Sequence, residues 1–318
     1  MEENLFCHEQ NEGLRENYME LIAGYPTIVN RRVTRGWDPI SEVSLRKEDK
    51  SRYPYCLFTS YFANTYFGIR QSVEIDSIRY AIERECSSEI QRDLALGALI
   101  NTISALAITY GGHFAQPKYS DYQKINLSTL AKIVDKRALS INHEFSVRLL
   151  SLAQQSQTKQ NRINIVDGPW QTALNTLKES LRNTSGIIVY LDAPYKREEY
   201  SRYYHALETL VKYDYPSCTG KGLIPGSPDR FKSEFFTKNK TNIEKILQNI
   251  IVDVLNNNWT CVWSYSSSGD ACIMNTVDKI HAVTKCNIKS YSTPFTHKGH
   301  RGVKSKNVTE YLIIFSPS

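Results

Sequence analysis

Hydrophobic and polar positions change rhythm once along the chain, near Arg162. Before that point the apolar spacing is helical. A modest amphipathic stretch around Asn11–Ala23 predicts a short helix, and Arg31–Arg52, polar and interrupted by Pro39, predicts a linker. Aromatic residues return over Pro54–Arg79 and should pack into a core. Glu89–Tyr110 predicts a strong helix with Gly111-Gly112 as its C-terminal cap. Residues 117–160 are polar, partly helical and carry Lys118, Lys124, Lys132, Lys136, Arg137, Arg148 and Lys159. They suit either phosphate contacts or a solvated helical face.

After Arg162, short β-branched runs alternate with helical stretches. Ile163–Val166 reads as a strand, Pro169–Leu181 as a helix, and Ile187–Leu191 as a strand buried on both faces. A long excursion over 196–240, rich in Tyr, Lys and Gly, follows. Thr241 and Glu244 have capping-box spacing before a helix with Ile243, Leu247, Ile250, Ile251 and Val254 on one face. Trp259–Tyr265 predicts a strand, Ala271–Val283 a helix, and Cys286–Tyr291 and Val308–Phe315 two final strands. Alternating strands and helices predict an α/β fold with a parallel sheet and right-handed crossovers. The last two strands have no helix between them, so they should pair as an antiparallel hairpin at the sheet edge. Three regions follow: an N-terminal segment and linker (1–53), a mostly helical region (54–160) and an α/β core (161–318).

Composition narrows this picture only slightly. A chain of 318 residues, 41% hydrophobic, can bury a large core. Its net charge of +6 permits a polyanionic partner without demanding one. The 20 tyrosines supply faces that stack on unpaired bases, or simply pack. The 7 cysteines include no Cys-x-x-Cys pair, which argues for reduced thiols and against a metal site. Leu94–Tyr110 is apolar but contains Asn101, Thr102 and Ser104, so it reads as a buried helix and no membrane span is expected. The opening Met1-Glu2-Glu3-Asn4 lacks a basic-then-apolar signal, and the expected location is cytoplasmic.

The chemistry concentrates where the strand at Ile187–Leu191 ends in Asp192, Ala193, Pro194 and Tyr195. Ligands of open α/β sheets bind at the carboxyl ends of strands. The alternative is an Asp-Pro-type turn closing a core strand. With Tyr200, Tyr204, His205, Glu208, Thr209, Tyr213 and Asp214 behind it, the tetrad resembles the signature of the DNA adenine-N6 methyltransferases, Asp-Pro-Pro-Tyr followed by a Tyr- and His-containing segment. Tyr61–Gly68, Ile75–Arg79, Gly112–Gln116 and Gly220–Leu223 extend the resemblance from about residue 55 to the C-terminus. Two departures stand out: Ala193 replaces the family's first proline, and the family's Phe-x-Gly-x-Gly cofactor loop does not occur in the chain.

The resemblance implies a Rossmann-like methyltransferase sheet, incomplete in this chain, with a helical insertion. It also implies S-adenosylmethionine as methyl donor and double-stranded DNA as substrate, the target base being flipped out. Asp192 and the carbonyl of residue 193 would accept from the two N–H bonds of the target amino group, Pro194 would fix the turn, and Tyr195 would stack on the base. Asp167 is a candidate for the cofactor's adenine, or else a helix N-cap. Tyr200, Arg202, Tyr204 and His205 are candidates for the base pocket or the DNA backbone. Lys298, Arg301, Lys304 and Lys306, in the connection of the terminal hairpin, are candidates for phosphate contacts, or lie in a solvated loop. In the family's sheet the glycine loop follows a strand that this chain lacks, so the expectation is a second protein subunit supplying it. The competing expectation is a non-catalytic DNA-binding paralogue in a restriction-modification or defence complex.

Overall fold

The structure, a computed structural model, describes residues 55–63, 65–117, 127–158, 165–196, 199–220, 222–237, 239–297 and 306–318. The expected helix at Asn11–Ala23 and linker at Arg31–Arg52 lie outside these residues, as do Lys118, Lys124 and Lys159. The chain divides into two compact units. One comprises Met1–Asn161 with Tyr200–Phe231, the other Arg162–Glu199 with Lys232–Ser318. The division near residue 161 falls where the sequence rhythm changes. The 200–231 part of the excursion, by contrast, belongs with the helical unit.

The first unit contains α1 (Leu57–Tyr61), α2 (Ile69–Glu85), α3 (Glu89–Leu106), β1 (Thr109–Tyr110), β2 (His113–Pro117), α4 (Leu127–Ala138) and α5 (Ile141–Thr158). From the excursion it adds α6 (Ser201–Lys212) and the short strands Cys218–Thr219 and Ile224–Pro225. Its core is aromatic, with Phe58, Tyr61, Phe62, Tyr66, Phe67 and Phe114 fully or almost fully buried.

α2 is unusual in burying polar side chains, and four of them finish other helices. Asp76 accepts from Phe58 N and Thr59 N, both at 2.8 Å, satisfying amides at the start of α1. The Tyr213 hydroxyl donates to the same carboxylate at 2.6 Å. Glu74 accepts from Ile141 N at 2.5 Å and Asn142 N at 3.3 Å, the first amides of α5. Gln71 donates to the carbonyls of Lys136 and Leu139, each at 3.0 Å, at the end of α4. Arg79 Nε donates to the Leu210 carbonyl at 3.1 Å, in the last turn of α6.

The expected long helix over 89–110 is shorter. α3 ends at Leu106, with Ala107 extended, and Gly111 and Gly112 have φ of 66° and 79°. Two adjacent left-handed residues suit a tight hairpin turn, and here they join β1 to β2 instead of capping a helix. The β-branched and aromatic residues Ile108, Thr109 and Tyr110 favour the extended chain.

In the second unit, helix α7 (Trp170–Ser180) leads to β3 (Ile188–Leu191), and α8 (Lys240–Asn256) crosses over to β4 (Thr260–Ser266). Helix α9 (Ile273–Thr284) precedes the hairpin of β5 (Asn287–His297) and β6 (Lys306–Ser316). The strands order β3-β4-β6-β5. The β3–β4 pair is parallel, Ile188 opposite Thr260 and Leu191 opposite Trp263. The β4–β6 and β5–β6 pairs are antiparallel, so the sheet is mixed and the expected terminal hairpin does lie at one edge. The buried stripe Ile243, Leu247, Ile251 and Val254 of α8 covers Cys261, Trp263 and Phe315.

Three expectations are corrected here. β3 is not buried on both faces: Val189 and Leu191 turn to the core, whereas Ile188 and Tyr190 are 67% and 60% exposed. β3 is an edge strand, and one of its faces has no covering layer among the described residues. No strand forms at Ile165–Val166; both are exposed, and residues 163–164 lie outside the described residues. The capping box before α8 is replaced by a different pair. Asn239 Oδ1 caps the helix from Thr241 N at 3.0 Å, while Glu244 accepts from Cys272 N at 3.0 Å, at the N-cap of α9.

Asp76 accepts from four donors, Phe58 N, Thr59 N, Thr59 Oγ1 and the Tyr213 hydroxyl, so Asp76→Ala should destabilise the chain by about 3 kcal/mol. Urea unfolding of the two proteins side by side checks this.

Candidate functional site

β3 delivers the tetrad to the carboxyl edge of the sheet, beside the end of β4. The side-chain alternation carries on past the strand: Asp192 is exposed and Ala193, 6% exposed, sits in the core. Ala193 therefore fills a packed position, and the acid beside it is left facing out.

Tyr195 is held at both ends. Its carbonyl accepts from Asp270 N at 2.7 Å and from the Tyr265 hydroxyl at 3.1 Å. Its own hydroxyl lies 3.3 Å from Ser264 Oγ. The two tyrosine rings meet edge to face, centroids 5.2 Å apart. Partial burial lifts the Tyr195 phenol above its ordinary range; the Ser264 hydrogen bond opposes this, and Glu310, Asp192 and Tyr190 add to it. The phenol is therefore neutral over the physiological range.

The segment that grips the tetrad is Ser266–Ala271, directly after β4. Asp270 N and Ala271 N both point into the site, the latter donating to the Tyr265 hydroxyl at 3.0 Å. Gly269 packs against the Tyr265 ring, where a Cβ would come within 2.4 Å of Cε1. Sequence reasoning passed over Ser264, Tyr265, Gly269 and Asp270. The available signal was the run Ser266-Ser267-Ser268-Gly269-Asp270, polar and placed at a strand end just as the tetrad is.

The other candidates separate. Asp167 is exposed in the irregular segment before α7. Tyr200, Arg202, Tyr204 and His205 belong to the first unit. Arg202 is exposed and Tyr204 is 48% exposed on α6, so both are accessible there. Tyr200 packs edge to face on Tyr203, which stacks on His113 with centroids 4.3 Å apart. His205 does not face solvent. It is 1% exposed, ringed by Phe62, Tyr66 and Phe114, and bonded through Nε2 to the Phe114 carbonyl at 2.9 Å. The expectation placed His205 at a base pocket or the DNA backbone; in the structure its ring is enclosed in the aromatic core. Lys298, Arg301 and Lys304 lie outside the described residues; Lys306 opens β6.

S-adenosylmethionine does not find a complete cradle among the described residues. β3 ends in the tetrad and β4 in the serine-rich turn, and neither supplies a loop with two glycines behind a strand. Among the described residues no cluster of His, Cys, Asp and Glu is arranged to hold a metal ion, and no helix is long and apolar enough to cross a membrane.

Comparison with known proteins supplies the context. The chain is 25% identical over 173 residues to modification methylase LlaI of Lactococcus lactis subsp. lactis, covering 53% of this chain and 24% of the relative. It is 29% identical over 168 residues to type II methyltransferase M.FokI of Planomicrobium okeanokoites, covering 50% of this chain and 21% of the relative. Over about half its length the chain is thus distantly similar to modification methylases. It spans about a quarter of the length of the relatives it matches. No family model matches the chain, and no solved structure does.

Two buried groups of the first unit oppose each other in acid. Burial pushes the Asp76 carboxyl up to about 7, against the hydrogen bonds from Tyr213, Thr59 and Phe58. Burial pushes the His205 imidazole down to about 4, against the bond to Phe114. The folded chain thus binds more protons at Asp76 than the unfolded chain between pH about 4 and about 7, and this contribution to stability is lost as pH rises through that range. It binds fewer at His205 between pH about 4 and about 6.5, and that contribution is lost as pH falls. Asp76→Asn removes the first contribution alone. Its melting temperature should therefore drop more steeply than wild type on acidification from pH about 6.5 to about 4.5, as read by differential scanning fluorimetry.

Proposed function

We propose that this chain carries the target-base half of a site-specific DNA adenine-N6 methyltransferase. The observation that carries the reading is the tetrad itself: an outward-facing Asp192 at the end of a parallel strand, next to a Tyr195 anchored at its carbonyl and its hydroxyl. An exocyclic amine is a weak nucleophile because its lone pair is delocalised into the ring. An acceptor aimed at its N–H bonds favours the tetrahedral nitrogen needed for attack and stabilises the positive charge that develops. Asp192 provides a charged acceptor and the residue 193 carbonyl a neutral one. The Tyr195 ring provides the stacking surface, and the base enters unpaired. The substrate class follows the relatives' names, modification methylase and type II methyltransferase; adenine and N6 are what the tetrad's resemblance to the Asp-Pro-Pro-Tyr signature implies.

On this reading the first unit contributes DNA contacts through Tyr200, Arg202 and Tyr204, and the connection of the terminal hairpin contributes Lys298, Arg301, Lys304 and Lys306. The assembly acts in the cytoplasm. S-adenosylmethionine is held mainly by residues beyond the described ones, with Asp167 at its margin. The reading includes a second polypeptide. β3 pairs only with β4 among the described strands, and its Ile188 and Tyr190 are exposed on an uncovered face. A parallel edge strand in that state invites further strands. Strands added there would bring a glycine loop to the same sheet edge as the tetrad. A non-catalytic DNA-binding paralogue is the second reading, favoured by the missing Phe-x-Gly-x-Gly loop.

Asp192→Ala should lower methyl incorporation into DNA by the competent assembly about a hundredfold or more while DNA binding survives. Methylation at the wild-type rate would remove Asp192 from the chemistry and leave the paralogue reading. Calorimetry addresses the second polypeptide. The isolated chain should not bind S-adenosylmethionine, and a co-expressed complex should; tight binding by a folded isolated monomer would overturn the split reading.

A further inference from the structure

Resting on the proposed role of the tetrad, we infer that Tyr265 is its positioning residue. It never reaches the base, yet it decides where Tyr195 stands. Tyr265 is fully buried on β4. Its hydroxyl stands between two main-chain groups from opposite sides of the site, donating to the Tyr195 carbonyl at 3.1 Å and accepting from Ala271 N at 3.0 Å. One hydroxyl thereby ties the end of the β3 turn to the turn after β4.

Three features show that the tie is directional and not general packing. The Tyr195 carbonyl takes a second donor, Asp270 N at 2.7 Å, from the same turn. That turn is closed by Gly269 N donating to the Ser266 carbonyl at 2.9 Å. Gly269 in turn fixes the height of the Tyr265 ring, since a Cβ there would approach Cε1 to 2.4 Å and Cζ to 2.6 Å. The Tyr195 ring is thus referenced to β4 through its main chain, through edge-to-face contact with Tyr265, and through Ser264 at its far end. A stacking platform displaced by a fraction of an ångström leaves the target nitrogen off line for attack. Tyr265 acts through Tyr195 in this way, so its loss should appear in turnover and not in DNA affinity.

The test is Tyr265→Phe, which keeps the ring and removes the hydroxyl, made in the full chain and assayed in the methylation-competent assembly. The expected result is a fall in kcat of about tenfold to a hundredfold with KM for DNA within about twofold of wild type. Hydrogen exchange gives a second readout that needs no activity: the Asp270 and Ala271 amides should exchange faster in the variant while those of Cys261–Trp263 in β4 keep their protection. Gly269→Ala should reproduce both effects by displacing the same ring. Wild-type kcat with unchanged exchange at Asp270 and Ala271 would overturn the inference. So would an equal loss of protection throughout β4, which would mark Tyr265 as core packing only. Failure of the methyltransferase reading is separately visible, because wild-type assembly would then transfer no methyl group while the exchange comparison still reports on the tie.

Discussion

Main-chain amides and carbonyls that find no partner inside their own element govern the layout of this chain. The first unit meets the demand with side chains. A single helix, α2, sends Gln71, Glu74, Asp76 and Arg79 to the ends of four other helices. Each of these residues is buried, so each replaces water that cannot enter. The core between them is aromatic and carries the hydrophobic stabilisation, while α2 determines the angle and register at which each helix meets that core. The second unit meets the same demand with strands on one side only. β4 and β6 are paired along both edges, and β3 presents its outer edge to whatever lies beyond the described residues.

The candidate site stands at the boundary between those two conditions. Its inner wall is well determined: strand β4, the turn that follows it, and the carbonyl of Tyr195 drawn in by two donors. Its outer wall is the exposed side of Asp192 and β3. A group that must meet a mobile nucleic acid base gains from a rigid backing and an open front. The rigidity comes from a neighbouring strand and its turn, which is a more exact support than a free loop could give. The buried methyl of Ala193 belongs to the same wall, filling a core position directly behind the acid.

What could be read in advance follows the range of the interaction. The stripe of α8, the terminal hairpin and the tetrad are local patterns, and local chemistry specifies them. The caps are different. Asp76 meets Tyr213 across 137 positions and His205 meets Phe114 across 91, so nothing near either residue announces its partner. His205 therefore stood among the candidates for the base pocket or the DNA backbone, although its ring closes an aromatic core. Glu244 shows a subtler failure. Its spacing from Thr241 suits a local capping box, but the carboxylate turns to Cys272 and Asn275 at the start of the next helix. Asn239 then takes over the local task. Gly111-Gly112 misled for a related reason: consecutive left-handed residues serve a helix end or a hairpin, and the β-branched residues before them favour the strand.

The division of the chain also sets an order of events during synthesis. The helical unit is not a continuous segment: α6 and Tyr213 come from Tyr200–Phe231, after β3 has already been made. A nascent chain that ends at Asn161 has α2 in place but no Tyr213 for Asp76 and no α6 carbonyls for Arg79. The helical unit can close only once Phe231 has left the ribosome. By then β3 is outside as well, still without β4, its parallel partner. The β-branched edge must therefore wait, unpaired, through the synthesis of α8. That interval is when this protein most needs a chaperone or a binding partner already at hand.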